Sequence, residues 1–105
     1  MGDMYKVYTL SEIKKILSDT EHYVTRKVMF TKEHAIKIDD RYIVKAGTIY
    51  PSNDATAMGV ALYDIDVTDM DDEGSLLIHG FVCTKMIPEK PSKEATEALT
   101  LIYFE

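Results

Sequence analysis

Six carboxylates crowd one stretch of this chain, Asp64, Asp66, Asp69, Asp71, Asp72 and Glu73, and an oxygen-rich run of this kind is where a Ca²⁺ ion would be sought. The spacing does not make such a site. Read as an EF-hand loop from Asp64, the fifth position is Thr68 and the sixth, where glycine turns the chain, is Asp69. The run therefore reads as a solvated turn whose charge deters edge pairing. His79 has the right type for a base or a ligand, but Ile78 and Gly80 flank it and no Ser, Cys or second His stands at a defined short spacing. It reads as a satisfied buried imidazole or as one in a subunit contact. Cys83 shares a strand face with His79 but lies ~13 Å along the strand, too far for a nucleophile and its base. His22 and His34 sit in polar surroundings and read as surface residues. Gly47, Gly59, Gly74 and Gly80 spell neither GxGxxG nor a P-loop. No catalytic residue, cofactor site or metal site is assigned, and the scattered methionines read as gap-fillers.

The elements that must position these residues centre on positions 57–83. From Val60 to Val67 the odd positions Ala61, Tyr63, Ile65 and Val67 are apolar, while the even ones pass from Val60 and Leu62 to Asp64 and Asp66. That is a strand with one buried face and one that meets water at its acidic end. From Ser75 to Cys83 strict alternation groups Leu76, Ile78 and Val82 on one face and Leu77, His79, Phe81 and Cys83 on the other, as in a strand covered on both sides. The polar segment 68–74 between them ends in Gly74, whose freedom to take positive φ would reverse the chain. The expectation is a β-hairpin core.

Upstream, Tyr5, Val7 and Tyr8 mark an arm with no local apolar partner. Thr9 and Glu12 then fit a capping box for a helix from about Leu10 to Ser18, with Leu10, Ile13, Ile16 and Leu17 on one stripe. Such a short helix must dock on something to persist. Residues 21–30 read as a strand or a strand with a bulge. Ala35–Ile38 and Tyr42–Val44 read as short strands joined by the turn Asp39–Arg41, and the second runs on towards Tyr50. Downstream, Ser92 is the expected N-cap of a helix Lys93–Leu99 with Ala95, Ala98 and Leu99 inward. Residues 100–104 read as a last strand returning to the sheet. The fold class expected is α+β, mainly β: one small domain, a β-sandwich or barrel-like sheet with two short helices, divided into an arm and helix at 1–18 and a β-rich body at 19–105.

Composition narrows the partners. At 105 residues, with 46% hydrophobic and 29% charged residues, the chain has the make-up of one globular domain with a modest core. The formal charge is −6, and residues 51–105 hold eleven Asp or Glu against three Lys or Arg. A net acidic chain lacks the basic footprint that nucleic acid requires. A single cysteine builds no disulfide framework, so synthesis in a reducing cytoplasm is expected. No apolar run approaches the ~20 residues of a membrane span, and the N-terminus lacks the basic and apolar regions of a signal peptide. The opening Met1-Gly2-Asp3 has Lys6 where a myristoylation signal wants Ser or Thr.

The run Ala57-Met-Gly-Val-Ala-Leu-Tyr-Asp-Ile-Asp-Val-Thr-Asp69, followed by Gly74-Ser-Leu-Leu-Ile-His-Gly-Phe-Val82, resembles the tailed-phage head decoration proteins, as does the entry Lys45-Ala-Gly-Thr48. The likeness covers about residues 45–104, and residues 1–44 depart from the family's Ala/Thr-rich arm. The resemblance implies a non-enzymatic virion protein on the outer surface of a phage head, binding the major capsid protein, stabilising the capsid lattice and forming homotrimers. On this reading Tyr5, Val7 and Tyr8 are capsid-contact candidates, and Leu77, His79 and Phe81 are subunit-interface candidates. A small soluble adaptor or ligand-binding β domain, a head-fibre base protein, and a hydrolase using His79 and Asp66 stand as alternatives.

Overall fold

A computed structural model describes residues 16–105. Tyr5, Val7, Tyr8 and the Thr9–Glu12 capping pair lie outside the described residues. Within them the strands are β1 (Val24–Phe30), β2 (Ile36–Ile38), β3 (Arg41–Val44), β4 (Ile49–Tyr50), β5 (Gly59–Ala61), β6 (Ile65–Asp66), β7 (Asp72–Val82) and β8 (Ile102–Phe104), with one helix, α1 (Lys93–Ala98). Short 3-10 turns occupy Lys32–His34 and Thr84–Met86. The mainly β, α+β expectation holds.

The strands form two sheets, one in the order β1-β7-β5-β4 with β8 beside the far end of β7, the other in the order β2-β3-β6. β7 is the spine of the first: it pairs antiparallel with β1 and β5 and parallel with β8. Its neighbouring residues Leu76 and Leu77, both fully buried, feed two different cores. Leu76 packs with Phe30, Val44, Ala61, Ile65 and Val67 between the sheets. Leu77 packs with Val60, Leu62, Val82, Ala95, Leu99 and Ile102 on the opposite face, which α1 covers. A sheet covered on both faces explains why this stretch reads as apolar without a break.

Four expectations are corrected. The run from Val60 to Val67 is not one strand: β5 stays in the first sheet, the chain bends at Leu62–Asp64, and β6 joins β3 in the second. The bend is held by Asp64, which accepts hydrogen bonds from the Ala46 N–H (2.7 Å) and Lys45 Nζ (3.0 Å). The acidic turn is shorter than expected, because Asp72, Glu73 and Gly74 already belong to β7 opposite Phe30, Met29 and Val28. Gly74 keeps a φ outside the left-handed region, which among the described glycines only Gly47 enters, at φ 92°. Its role is space: a Cβ there would collide with Ile65 Cδ1 and stand 2.8 Å from the Phe30 ring.

The third correction concerns alternation along β7. The register steps from Thr25↔Leu77 to Val24↔His79, so β7 gains one residue, Ile78, over β1. This bulge exchanges the faces beyond it. Val82 consequently joins Leu77 in the helix-covered core, and His79 and Phe81 turn to the other side. Fourth, Leu17 is bridged to Val82 rather than helical, with the Ser18 N–H donating to Phe81 O and the Cys83 N–H to Ile16 O. Ile16 and Leu17 are core residues.

The remaining elements follow local chemistry. Asp39, at φ 55°, makes the two-residue turn between Ile38 and Arg41, a conformation that Asp tolerates. Ser92 caps α1 by accepting from the Ala95 N–H. Ala95 and Leu99 are buried as expected, whereas Ala98 is exposed, since six helical residues present only a narrow inward stripe.

Candidate functional site

The bulge in β7 and the parallel pairing of β8 together build an uncharged, solvent-exposed strip at the Val82 end of the first sheet, on the face turned away from α1. β8 carries Ile102 inward, buried against the core, so Tyr103 faces out. The β7–β8 register sets Phe81 opposite Tyr103, and their rings stack at 5.0 Å between centroids and 20° between planes. Such offset aromatic pairs contribute about 0.5–1.5 kcal/mol beyond the area they bury. On the β1 side Val24 stands opposite His79. Tyr103 is 50% exposed, Leu101 52% and Val24 48%; His79 is exposed as well. Across Val24, His79, Phe81, Leu101 and Tyr103 there is no formal charge with the imidazole neutral, on a chain in which 29% of residues are charged. Uncharged, half-exposed side chains grouped in this way make the strip the candidate contact surface among the described residues.

Of the three interface candidates, His79 and Phe81 therefore reach the surface on one strip, while Leu77 lies fully buried in its own chain's core. The expectation of a buried His79 fails for the same reason: the bulge turns it out. Tyr103, Leu101 and Val24 escaped sequence reasoning. A pairing of residues 79–82 with residues 102–104 would have found Tyr103, but nothing in the sequence announces that β8 runs parallel to β7.

The acidic residues disperse instead of converging. Asp64 ties the bend to Lys45 and Ala46. Asp66 accepts from Arg41 Nε at 2.9 Å and from the Thr68 N–H at 2.9 Å, and Asp69 lies 3.6 Å from Arg41 Nη2. Hydrogen bonds from the Thr68 side chain and N–H, followed by the Arg41 guanidinium, lower the Asp66 carboxyl from 3.8 to about 2. Each engaged carboxylate thus has a structural partner in the chain, and among the described residues no group of three His, Cys, Asp or Glu side chains is placed to hold a metal ion.

Asp66 and His79, the hydrolase pair, sit on different sheets, with Asp66 occupied by Arg41 and Thr68. His22 is exposed and hydrogen-bonded to Asp19 at 3.1 Å. His34, expected at the surface, is half-buried: its ring packs 4.7 Å from that of Tyr50 and edge-on to Phe30 at 6.0 Å. Its Nδ1 accepts the Thr31 N–H at 3.0 Å, while Thr31 caps the 3-10 turn. Thr31 and His34 form a capping box with His at the third position, and that four-residue spacing was the available signal. Among the described residues no helix is long and apolar enough to cross a membrane.

Compared with family models, curated proteins and solved structures, the chain finds no match among any of the three.

Proposed function

We propose that this chain is a non-enzymatic structural protein of a phage virion: it binds the outer surface of the head, contacts the major capsid protein and stabilises the lattice, with homotrimers formed through the strip of Val24, His79, Phe81 and Tyr103. Its cofactor requirement is none, and it is made in the host cytoplasm before it joins the head. The motif runs at 45–48, 57–69 and 74–82 support the family reading. The observation that carries the contact function is the stacked, half-exposed Phe81–Tyr103 pair within an uncharged strip.

Charge favours this surface for self-association. Two copies of a chain with charge −6 repel, and the strip lies at the Val82 end of β7, ~30 Å by strand rise from the acidic Asp72 end. The capsid-contact candidates Tyr5, Val7 and Tyr8 belong to the segment that meets the described fold at Ile16, whose carbonyl accepts from Cys83, two residues beyond Phe81.

Light scattering on the wild type and on Tyr103→Asp tests the self-association. A half-exposed side chain tolerates the change in the folded monomer, whereas a carboxylate enclosed at an interface without a partner is costly. The expected outcome is a multimer that Tyr103→Asp converts to a folded monomer. A wild type that stays monomeric at every concentration, alone and in the presence of heads, would refute the interface.

A further inference from the structure

On a different part of the surface an open groove of about 600 Å³ runs between the 3-10 turn after β1, the loop after β4 and the segment Pro88–Glu89. It shares no residue with the aromatic strip, and its size falls within the about 300–1,000 Å³ typical of binding clefts. Ile49, Pro51 and Pro88 give it apolar walls, and the two prolines offer no N–H to a ligand. One wall is held in place. Asn53 donates to Lys90 O at 3.0 Å and accepts the Ser92 N–H at 2.8 Å, and the Ser92 hydroxyl returns a bond to Asn53 O. The groove is therefore tied to the N-terminus of α1 and preformed.

Three features define what would fit it. Glu33 and Glu89 line it, both exposed and with no ion-pair partner among the described residues. His34 also lines it, and because its Nδ1 accepts from Thr31, the neutral ring carries its proton on Nε2, a donor with no acceptor among the described residues. Finally, Ile36 lines the groove from β2, which among the described residues pairs with β3 alone. Among the described residues no strand lies along the other edge of β2, where Lys37 turns its N–H and C=O outward, and Ile36 is 53% exposed. Free edge, apolar wall and adjacent carboxylates suit an extended backbone that bears positive charge.

We infer that this groove binds an extended polypeptide segment carrying Lys or Arg beside small apolar side chains. The segment lies along the β2 edge, its apolar residues rest on Ile36, Pro51 and Pro88, and its cationic groups reach Glu33 and Glu89. The inference is independent of the capsid reading, since it uses none of the strip.

Fluorescence anisotropy with the full chain tests it, using fluorescein-labelled Gly-Ala-Lys-Val-Lys-Ala-Gly as probe and the same peptide with Glu for Lys as control. Saturable binding of the Lys peptide is expected, with the Glu peptide at least tenfold weaker. In the double variant Glu33→Gln/Glu89→Gln, affinity for the Lys peptide should fall roughly three- to tenfold, as two exposed ion pairs warrant, with the melting temperature unchanged. Ile36→Ser should weaken both peptides alike. Absence of saturable binding by the Lys peptide, equal binding of the two peptides to the wild type, or an unaltered affinity in the double variant would each overturn the inference.

Discussion

Gly74→Ala separates two accounts of the same glycine by the sign of its effect. If Gly74 served only as a turn residue with φ outside the left-handed region, alanine would fit and would stabilise by about 0.4–1 kcal/mol through the unfolded chain. The structure assigns the opposite sign. The added methyl would collide with Ile65 Cδ1 and lie 2.8 and 3.0 Å from two carbons of the Phe30 ring. Both neighbours are buried, at 2% and 0% exposure, and Phe30 is itself wedged against Tyr50 at 5.2 Å. Neither can move without displacing the core between the sheets, so the expected loss is that of overpacking, about 1–3 kcal/mol. For a domain of this size that is a fall in Tm of roughly 5–15 °C. Urea unfolding followed by circular dichroism reads it as a lower midpoint at unchanged slope. Adding Ile65→Val removes the colliding carbon, so the double variant should be less destabilised than the sum of the singles, by about 1 kcal/mol. A midpoint that rises for Gly74→Ala, or strict additivity in the double variant, would refute the packing account.

Three further outcomes follow from named contacts. Because the Asp66 carboxyl is lowered in the folded chain to about 2, its contribution is fully present above about pH 5 and is lost as the pH falls towards 2; at 38% side-chain exposure screening holds it to about 1 kcal/mol. Asp66→Asn should flatten that part of the acid-unfolding profile, and a profile as steep as the wild type's would contradict the assignment. Ser92→Ala removes both the cap of α1 and the bond to Asn53 O, and should cost about 1–2 kcal/mol in urea unfolding; an unchanged midpoint would deny the cap any weight. Millimolar Ca²⁺ or EDTA should leave the melting temperature unmoved, because the carboxylates of residues 64–69 are spent on Lys45, Arg41 and backbone N–H groups. A rise of several degrees with Ca²⁺ that EDTA reverses would show a bound ion.

The parts of the fold legible in the sequence are those whose signals are local. Asp39-Asp40 between two short apolar runs marks the β2–β3 turn, and Ser92 three residues before Ala95 marks the start of α1. What sequence could not show is where a choice depends on distant residues. The apolar run through Leu62 is equally compatible with one strand or with two that part company, and the parting is fixed by Asp64 gripping Lys45 and Ala46, eighteen or more residues earlier. The extra residue at Ile78 leaves no trace in an apolar stretch, yet it decides that Val82 is buried and that His79 and Phe81 face out. His79 and Phe81 share a surface strip, whereas Leu77, grouped with them by strict alternation, is buried on the other face because the bulge breaks that alternation. Tyr103, the ring on which Phe81 stacks, comes from the far end of the chain.

The most direct test of the account is co-sedimentation of the purified protein with expanded, undecorated heads assembled from the major capsid protein encoded by the same genome, beside Tyr103→Asp and a chain truncated to begin at Ile16. The account predicts that the wild type pellets with heads saturably and raises their resistance to heat, that the truncated chain stays folded but remains in the supernatant, and that Tyr103→Asp binds more weakly because it arrives as a monomer. A folded wild-type protein that stays in the supernatant at all concentrations, with heads no more resistant than before, would contradict it.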